Sequence, residues 1–214
     1  MQRHGNQLLF APLDLGNFVA CEHLTQLELA AVLGETTRPS FSNAYVDLIA
    51  HKGAEHERNF LEALRDAGNA VIEVGLDGDR NFAVAAEITA TAMRAGSKYI
   101  YQAVFLIDEW HGIADFLERI DRPSALGDWS YQVLDTKLAR HPRPEHALQL
   151  CFYSHALEQI QKIPPEIAYV VLGRASVSRS DSQMCRLTFV GCKTAFVTRL
   201  RRARKRFPTH ATIA

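Results

Sequence analysis

Two carboxylates stand where the pattern calls for apolar strand residues. Gly112-Ile113-Ala114-Asp115-Phe116-Leu117 sets an acid inside a β-rich run, and Val133-Leu134-Asp135-Thr136-Lys137 repeats the arrangement further along. A carboxylate in an apolar strand is costly unless it is paired or bound to a cation, so each acid requires a partner. Side chains alternate along a strand, which puts Asp135 and Lys137 on one face. If the two strands are neighbours, two carboxylates and an ammonium converge. A hard divalent cation such as Mg²⁺ takes carboxylate oxygens and keeps several waters. Spacing alone is weak evidence, because an Asp-x-Lys triplet arises by chance roughly once in a chain of ordinary composition and this size. A strand Asp near a turn is also more often a hydrogen-bonded structural residue.

The surrounding chain supplies the strands. Tyr99 to Ile107 is β-branched and aromatic, Asp108 to Gly112 has turn chemistry, and Ile113 to Ile120 returns as the second arm of a hairpin. Asp121 to Asp128 reads as a loop and Trp129 to Leu138 as a third strand. Upstream, Leu13 to Leu33 reads as a helix with Asp14 as its N-cap and Gly34 past its end. After a polar link at Thr36 to Ser42, a helical pattern with Phe60, Leu61 and Leu64 as its stripe runs to Ala67 and stops at Gly68. Val71 to Val74 is a short strand and Phe82 to Ala95 another helix. Downstream, the spacing predicts a helix over Pro144 to Gln161, with Pro144 in its first turn. Strands follow at Ile167 to Leu172 and Arg186 to Val190. The closing helix, Lys193 to Phe207, sets Phe196, Leu200, Ala203 and Phe207 against Arg199, Arg201, Arg202, Arg204, Lys205 and Arg206. The sum is an α/β (α+β) domain, a small mixed central sheet flanked by helices.

Composition narrows the function classes. The 214 residues suit one domain, 1–214, and 47% hydrophobic with 22% charged residues is ordinary for a soluble chain. No stretch approaches the ~20 apolar residues of a membrane helix, and the first ten residues lack a signal peptide's apolar core, so a cytoplasmic protein is expected. Cys21, Cys151, Cys185 and Cys192 form no CxxC pair, which argues against a zinc knuckle or a disulfide scaffold. His51 and His56 are one residue too far apart for an H-x-x-E-H zinc helix, and Gly53 lies between them. The absence of P-loop, G-x-G-x-x-G and G-x-S-x-G motifs leaves nucleotide hydrolysis and serine chemistry without support. Net charge is zero, yet Met1 to Thr136 holds 10 Lys/Arg against 20 Asp/Glu, and Lys137 to Ala214 holds 14 against 4. That asymmetry fits an anionic partner such as nucleic acid, or two halves that dock on each other.

In this setting the chain resembles the RecB-like branch of the PD-(D/E)XK nuclease superfamily, in a subfamily of bacterial RecB-like nucleases. The Gly-x-x-Asp strand ending at Asp115, the Asp-x-Lys strand at Asp135 and Lys137, and the Gln-x-x-x-Tyr helix at Gln149 and Tyr153 occur in that family's order. Gly53-Ala54-Glu55-His56 matches its Gly-x-x-His helix start, and Cys21-Glu22-His23-Leu24-Thr25 and Tyr101-Gln102-Ala103 extend the likeness over residues 8–207. The resemblance implies a restriction-endonuclease-like core at about 69–207 behind an N-terminal helical part at about 8–68. It implies a Mg²⁺- or Mn²⁺-dependent nuclease that hydrolyses DNA phosphodiesters, with single-stranded or duplex ends as the partner and DNA repair or processing as the setting. His56, Asp115, Asp135 and the Thr136 carbonyl would hold the metal, and Lys137 would be catalytic with Asp135 and Asp115. Gln149 and Tyr153 would contact the substrate or brace the site.

Two departures accompany the likeness. Gln132 stands where the subfamily more often has Glu; its parity differs from that of Asp135, so a packing role or secondary contact is expected for it. Relatives also continue into a cysteine cluster that resembles an iron–sulfur staple, and many add a second nuclease-like or helicase domain. This chain ends at Ala214 without a cysteine after Cys192, so no cluster is expected and a C-terminal truncation is. The alternatives are a nuclease fold that binds nucleic acid without cutting it, and a nuclease directed at RNA.

Overall fold

The computed structural model describes residues 1–5, 7–39, 43–76, 81–138, 144–172, 177–181 and 191–201. A hairpin of β1 (Gln2–His4) and β2 (Gln7–Leu9) leads into helices α1 (Pro12–Ala20), α2 (Glu22–Leu33) and α3 (Ala44–Asp66). Then come β3 (Val71–Glu73), α4 (Phe82–Arg94), β4 (Tyr99–Ile107), β5 (Trp110–Ile120) and β6 (Ser130–Lys137). The chain continues through α5 (Pro144–Gln161), β7 (Ile167–Leu172) and β8 (Val177–Asp181) to a helical run, α6, over residues 191–201. The fold is a mixed α/β arrangement with the sheet between helices. Among the described residues no helix is long and apolar enough to cross a membrane.

The central sheet has the order β3-β4-β5-β6-β7-β8. β3 pairs parallel to β4 across the α4 crossover, and β6 pairs parallel to β7 across α5. β4, β5 and β6 form an antiparallel meander, and β8 pairs antiparallel to β7. Predicted α5 and β7 coincide with the structure. β5 begins earlier than expected, at Trp110, because only Asp108 and Glu109 are needed to turn; Asp108 takes a left-handed φ of 53°. The hairpin β1–β2 and strand β8 are additions to the sequence reading, since three- and five-residue strands leave little periodicity to detect. The predicted strand at Arg186 to Val190 and the chain beyond Arg201 lie outside the described residues.

The helix predicted over Leu13 to Leu33 is two helices, parted by Cys21 in an extended conformation with φ −163° and ψ 109°. Asp14 is not the N-cap of α1, which is Ala11, but the N3 residue of its capping box. It sits inside α1, buried, where its Oδ2 accepts the Ala11 N–H at 2.8 Å. Gly53 is likewise not at a helix start but well inside α3, in open space.

One core runs from Leu8 to Leu200 and gathers residues of β4, β5, β6, α5 and α6. Phe196 of α6 stacks edge-on against Phe10, Phe18 and Trp110 with centroids 5.2–5.6 Å apart. The same helix carries two cross-half ion pairs, Arg199 with Glu22 at 2.8 Å and Lys193 with Asp108 at 3.2 Å. Part of the charge asymmetry is therefore used in docking one half on the other. α5 lies against β5 at Gly112, where a Cβ would come within 2.6 Å of the Phe152 ring and 2.9 Å of the Tyr153 ring. Only glycine permits that approach.

These two glycines predict opposite outcomes. Gly112→Ala should lower unfolding stability by about 1–3 kcal/mol through overpacking. Gly53→Ala, with no neighbour within 4 Å, should raise it by roughly 0.5–1 kcal/mol. Urea denaturation of the two variants against the parent measures both.

Candidate active site

The ladder between β5 and β6 stops at Phe116↔Leu134. Just past this point the carboxylate of Asp115 takes over the role of a strand carbonyl. Its Oδ2 accepts the Thr136 N–H at 2.7 Å and the Thr136 hydroxyl at 2.8 Å. The strands open there, and the fork holds Asp115, Asp135, Thr136 and Lys137 together. Lys137 Nζ lies 2.8 Å from Asp135 Oδ2 and 3.8 Å from Asp115 Oδ2. The shared face expected for Asp135 and Lys137 is thus present, and Asp115 meets them from the next strand.

A second irregularity sits directly opposite Asp115. β4 and β5 pair at Tyr101↔Phe116 and again at Ala103↔Ala114, skipping Gln102 and Asp115. Gln102 adopts φ 49°, a left-handed backbone that costs a non-glycine residue of order 1 kcal/mol. The side-chain alternation shifts at this point on both strands. Ile100 and Ala103, three apart, both enter the main core, as do Ala114 and Leu117. Because each strand carries one extra residue, the register survives while the local geometry changes.

The Gln102 amide points toward α3. Its Nε2 donates to Glu57 Oε1 at 3.0 Å, and Tyr101 also hydrogen-bonds Glu57. Burial, together with Glu57, pushes the Tyr101 phenol up to about 12. α3 is held on the sheet by Phe60, whose ring meets Phe116 edge-on at 5.0 Å. Glu57 is half-buried, and its field acts on both Asp135 and Lys137. Its signal in the sequence was its place three residues before Phe60 on the buried stripe.

The electrostatics ask for a cation. Asp135 is fully buried, and burial, then the charge of Asp115, pushes its carboxyl up to about 7. Lys137 only partly relieves it. Burial works against the Lys137 ammonium, but Asp115 and Asp135 outweigh that and hold its pKa above the ordinary lysine value. Three carboxylates, Asp115, Asp135 and Glu57, thus face one ammonium. Asp135 Oδ2 is met by the Lys137 ammonium, and its buried Oδ1 has no hydrogen-bond partner among the described residues. His56, one turn before Phe60, has a buried Nε2 that is also without a hydrogen-bond partner. These orphaned atoms fit a divalent metal, with Asp115 and Asp135 as its protein ligands. Among the described residues no three His, Cys, Asp or Glu side chains form a ready metal-ligand group.

Behind the fork, Tyr153 of α5 is buried, and its hydroxyl donates to the Ile113 carbonyl and accepts from Gln149 Nε2 at 3.0 Å. Burial, then Asp135, raises its pKa well above the ordinary phenol value. Tyr153 is therefore a neutral brace between α5 and β5, and Gln149 orients it. Gln132 contacts Glu118 at 2.8 Å, and Glu118 in turn accepts from Tyr99 at 2.8 Å, a secondary contact away from the fork. Trp129 caps the packing at the strand end, its Nε1 donating to the Met93 carbonyl at 3.0 Å.

No protein-family model matches the chain, and no curated protein is significantly similar to it. The reading of the site therefore stands on its geometry.

Asp135 gives this geometry a pH signature. The unfolded carboxyl ionises near 3.8 and the folded one near 7, so the metal-free folded state keeps a proton that the unfolded state loses. Stability contributed at this position is present below pH 4 and is lost as pH rises toward 7, by an amount on the order of a few kcal/mol. Asp135→Asn removes that dependence. In EDTA, its melting temperature should gain on that of the parent between pH 4.5 and pH 8; a constant difference would show that Asp135 does not hold the proton.

Proposed function

We propose that the chain is a metal-dependent nuclease that hydrolyses phosphodiester bonds of DNA. The observation that carries this is the fork: a buried Asp135 with a partnerless Oδ1 and a largely buried Asp115, both within 3.8 Å of a single Lys137 ammonium. The strand order around it, with the antiparallel β4-β5-β6 meander followed by the α5 crossover to parallel β7, supports the resemblance to RecB-like nucleases.

Asp115 and Asp135 would hold Mg²⁺ or Mn²⁺, with the Thr136 carbonyl and His56 as further candidate donors. Such a cation, once bound, neutralises charge on the phosphate and acidifies a coordinated water. The protein's own groups do the rest. Lys137, fixed between the carboxylates, keeps its proton at neutral pH, so it serves to hold a phosphate oxygen and orient the attacking water rather than to remove a proton. Asp115 keeps its orientation through the two Thr136 hydrogen bonds. Tyr153 fixes the β5 backbone beside it. Glu57 and Gln102 adjust the field and the strand geometry from the opposite side. The apolar walls of the fork exclude bulk water from Asp135, which strengthens each charge interaction there.

The test is cleavage of end-labelled single- and double-stranded DNA with Mg²⁺ or Mn²⁺. Lys137→Ala, Asp135→Asn and Asp115→Asn should each lose roughly 100-fold or more in rate, a size typical for removal of one charge-stabilising group. Residual cleavage by Lys137→Ala equal to that of the parent would refute its assigned role. DNA binding without Mn²⁺ uptake and without cleavage would instead identify a nucleic-acid-binding module on this fold.

A further inference from the structure

Among the described strand residues, Gln102 alone takes a left-handed backbone without being glycine, with φ 49°. Such a conformation persists only where its surroundings impose it. β4 and β5 pair on both sides of it, at Tyr101↔Phe116 and Ala103↔Ala114, so the irregularity serves the two residues it releases, Gln102 and Asp115.

The release gives the Gln102 side chain a direction. It leaves the sheet toward α3, and its Nε2 donates to Glu57 Oε1 at 3.0 Å and to the Tyr101 hydroxyl at 3.4 Å. Tyr101 in turn hydrogen-bonds Glu57, which closes a triangle of three side chains. Two donors on adjacent strand residues thereby fix a carboxylate that would otherwise turn freely about three bonds. The backbone that carries Glu57 is held as well, because Phe60 meets Phe116 edge-on at 5.0 Å less than one turn further along α3.

This triangle stands opposite Asp115, and the charge of Glu57 reaches both Asp135 and Lys137. Glu57 does not complete a ready ligand group with the two aspartates, since no three such side chains do so among the described residues. An acid fixed beside a cation site, yet outside its direct ligands, acts on the water shell. Mg²⁺ bound by one or two carboxylates keeps several waters, and those waters need acceptors. Groups that hold ligands from outside in this way change metal affinity by about 10–100-fold.

We infer that Gln102 is a positioning residue of the site: it holds Glu57 where the carboxylate accepts hydrogen bonds from the waters of a cation bound by Asp115 and Asp135. The inference rests on the metal-site reading of the fork, and it gives the strained backbone its purpose. Gln102 touches neither cation nor substrate and works through Glu57 alone.

The experiment measures Mn²⁺ binding to the full chain by titration calorimetry, without nucleic acid, for the parent, Glu57→Gln, Gln102→Met and the double variant. Methionine keeps the length of glutamine and removes its donor; Gln102→Gly, which suits the left-handed backbone, serves as a second variant, and circular dichroism verifies each fold. Each single change should weaken Mn²⁺ binding about tenfold. The double variant should bind as Glu57→Gln does, because Gln102 has nothing left to position. The number of waters on bound Mn²⁺, read by electron spin-echo spectroscopy, should be the same in the parent and Glu57→Gln. Parent-like binding by both Gln102→Met and Gln102→Gly, or effects that multiply in the double variant, overturns the inference. An additional water in Glu57→Gln overturns it too, since Glu57 would then be a direct ligand. A parent that takes up no Mn²⁺ removes the metal-site reading together with the inference, whereas uptake that is indifferent to position 102 removes the inference alone.

Discussion

Asp135 is the constraint around which the rest of the site is arranged. A carboxylate buried in an apolar strand can survive by protonation, by an ion pair or by a cation, and this fold makes partial use of the first two. Lys137 approaches within 2.8 Å, yet Asp115 and Glu57 add negative charge that one ammonium cannot balance. The strained Gln102, the Asp115–Thr136 bridge and the Tyr153 brace all serve to keep these groups together against their mutual repulsion. Structures hold such arrangements where function needs them, since each feature costs stability that a well-packed apolar strand pair would not.

Much of this was legible in the sequence where the pattern was long. The α5 helix follows from its spacing and from Pro144 in its first turn, and the facing of Asp135 and Lys137 follows from strand parity. The convergence of Asp115 with them needed only a meander, which the turn chemistry at Asp108 announced. Gln132 shows parity working in the other direction, since its side chain is used on Glu118.

Other features left no such trace. The helix break at Cys21 lies inside an unbroken apolar periodicity, with neither glycine nor proline to mark it. The doubled irregularity at Gln102 and Asp115 is invisible because both flanking strands are apolar on both faces, so a one-residue shift changes no visible pattern. Glu57 left only a faint one, its place three residues before Phe60 on a helix rich in exposed charge; the packing of Phe60 on Phe116 shows that side meeting the sheet.

The left-handed backbone at Gln102 carries an evolutionary consequence. Glycine or asparagine would occupy that conformation at lower cost, so a search for thermal stability alone should drift toward them at this position. Glycine would release the backbone strain and forfeit the amide that ties Glu57 to the strand opposite Asp115. Position 102 is therefore a point where robustness and chemistry are in competition, and natural variation there would report which of the two a given lineage has kept.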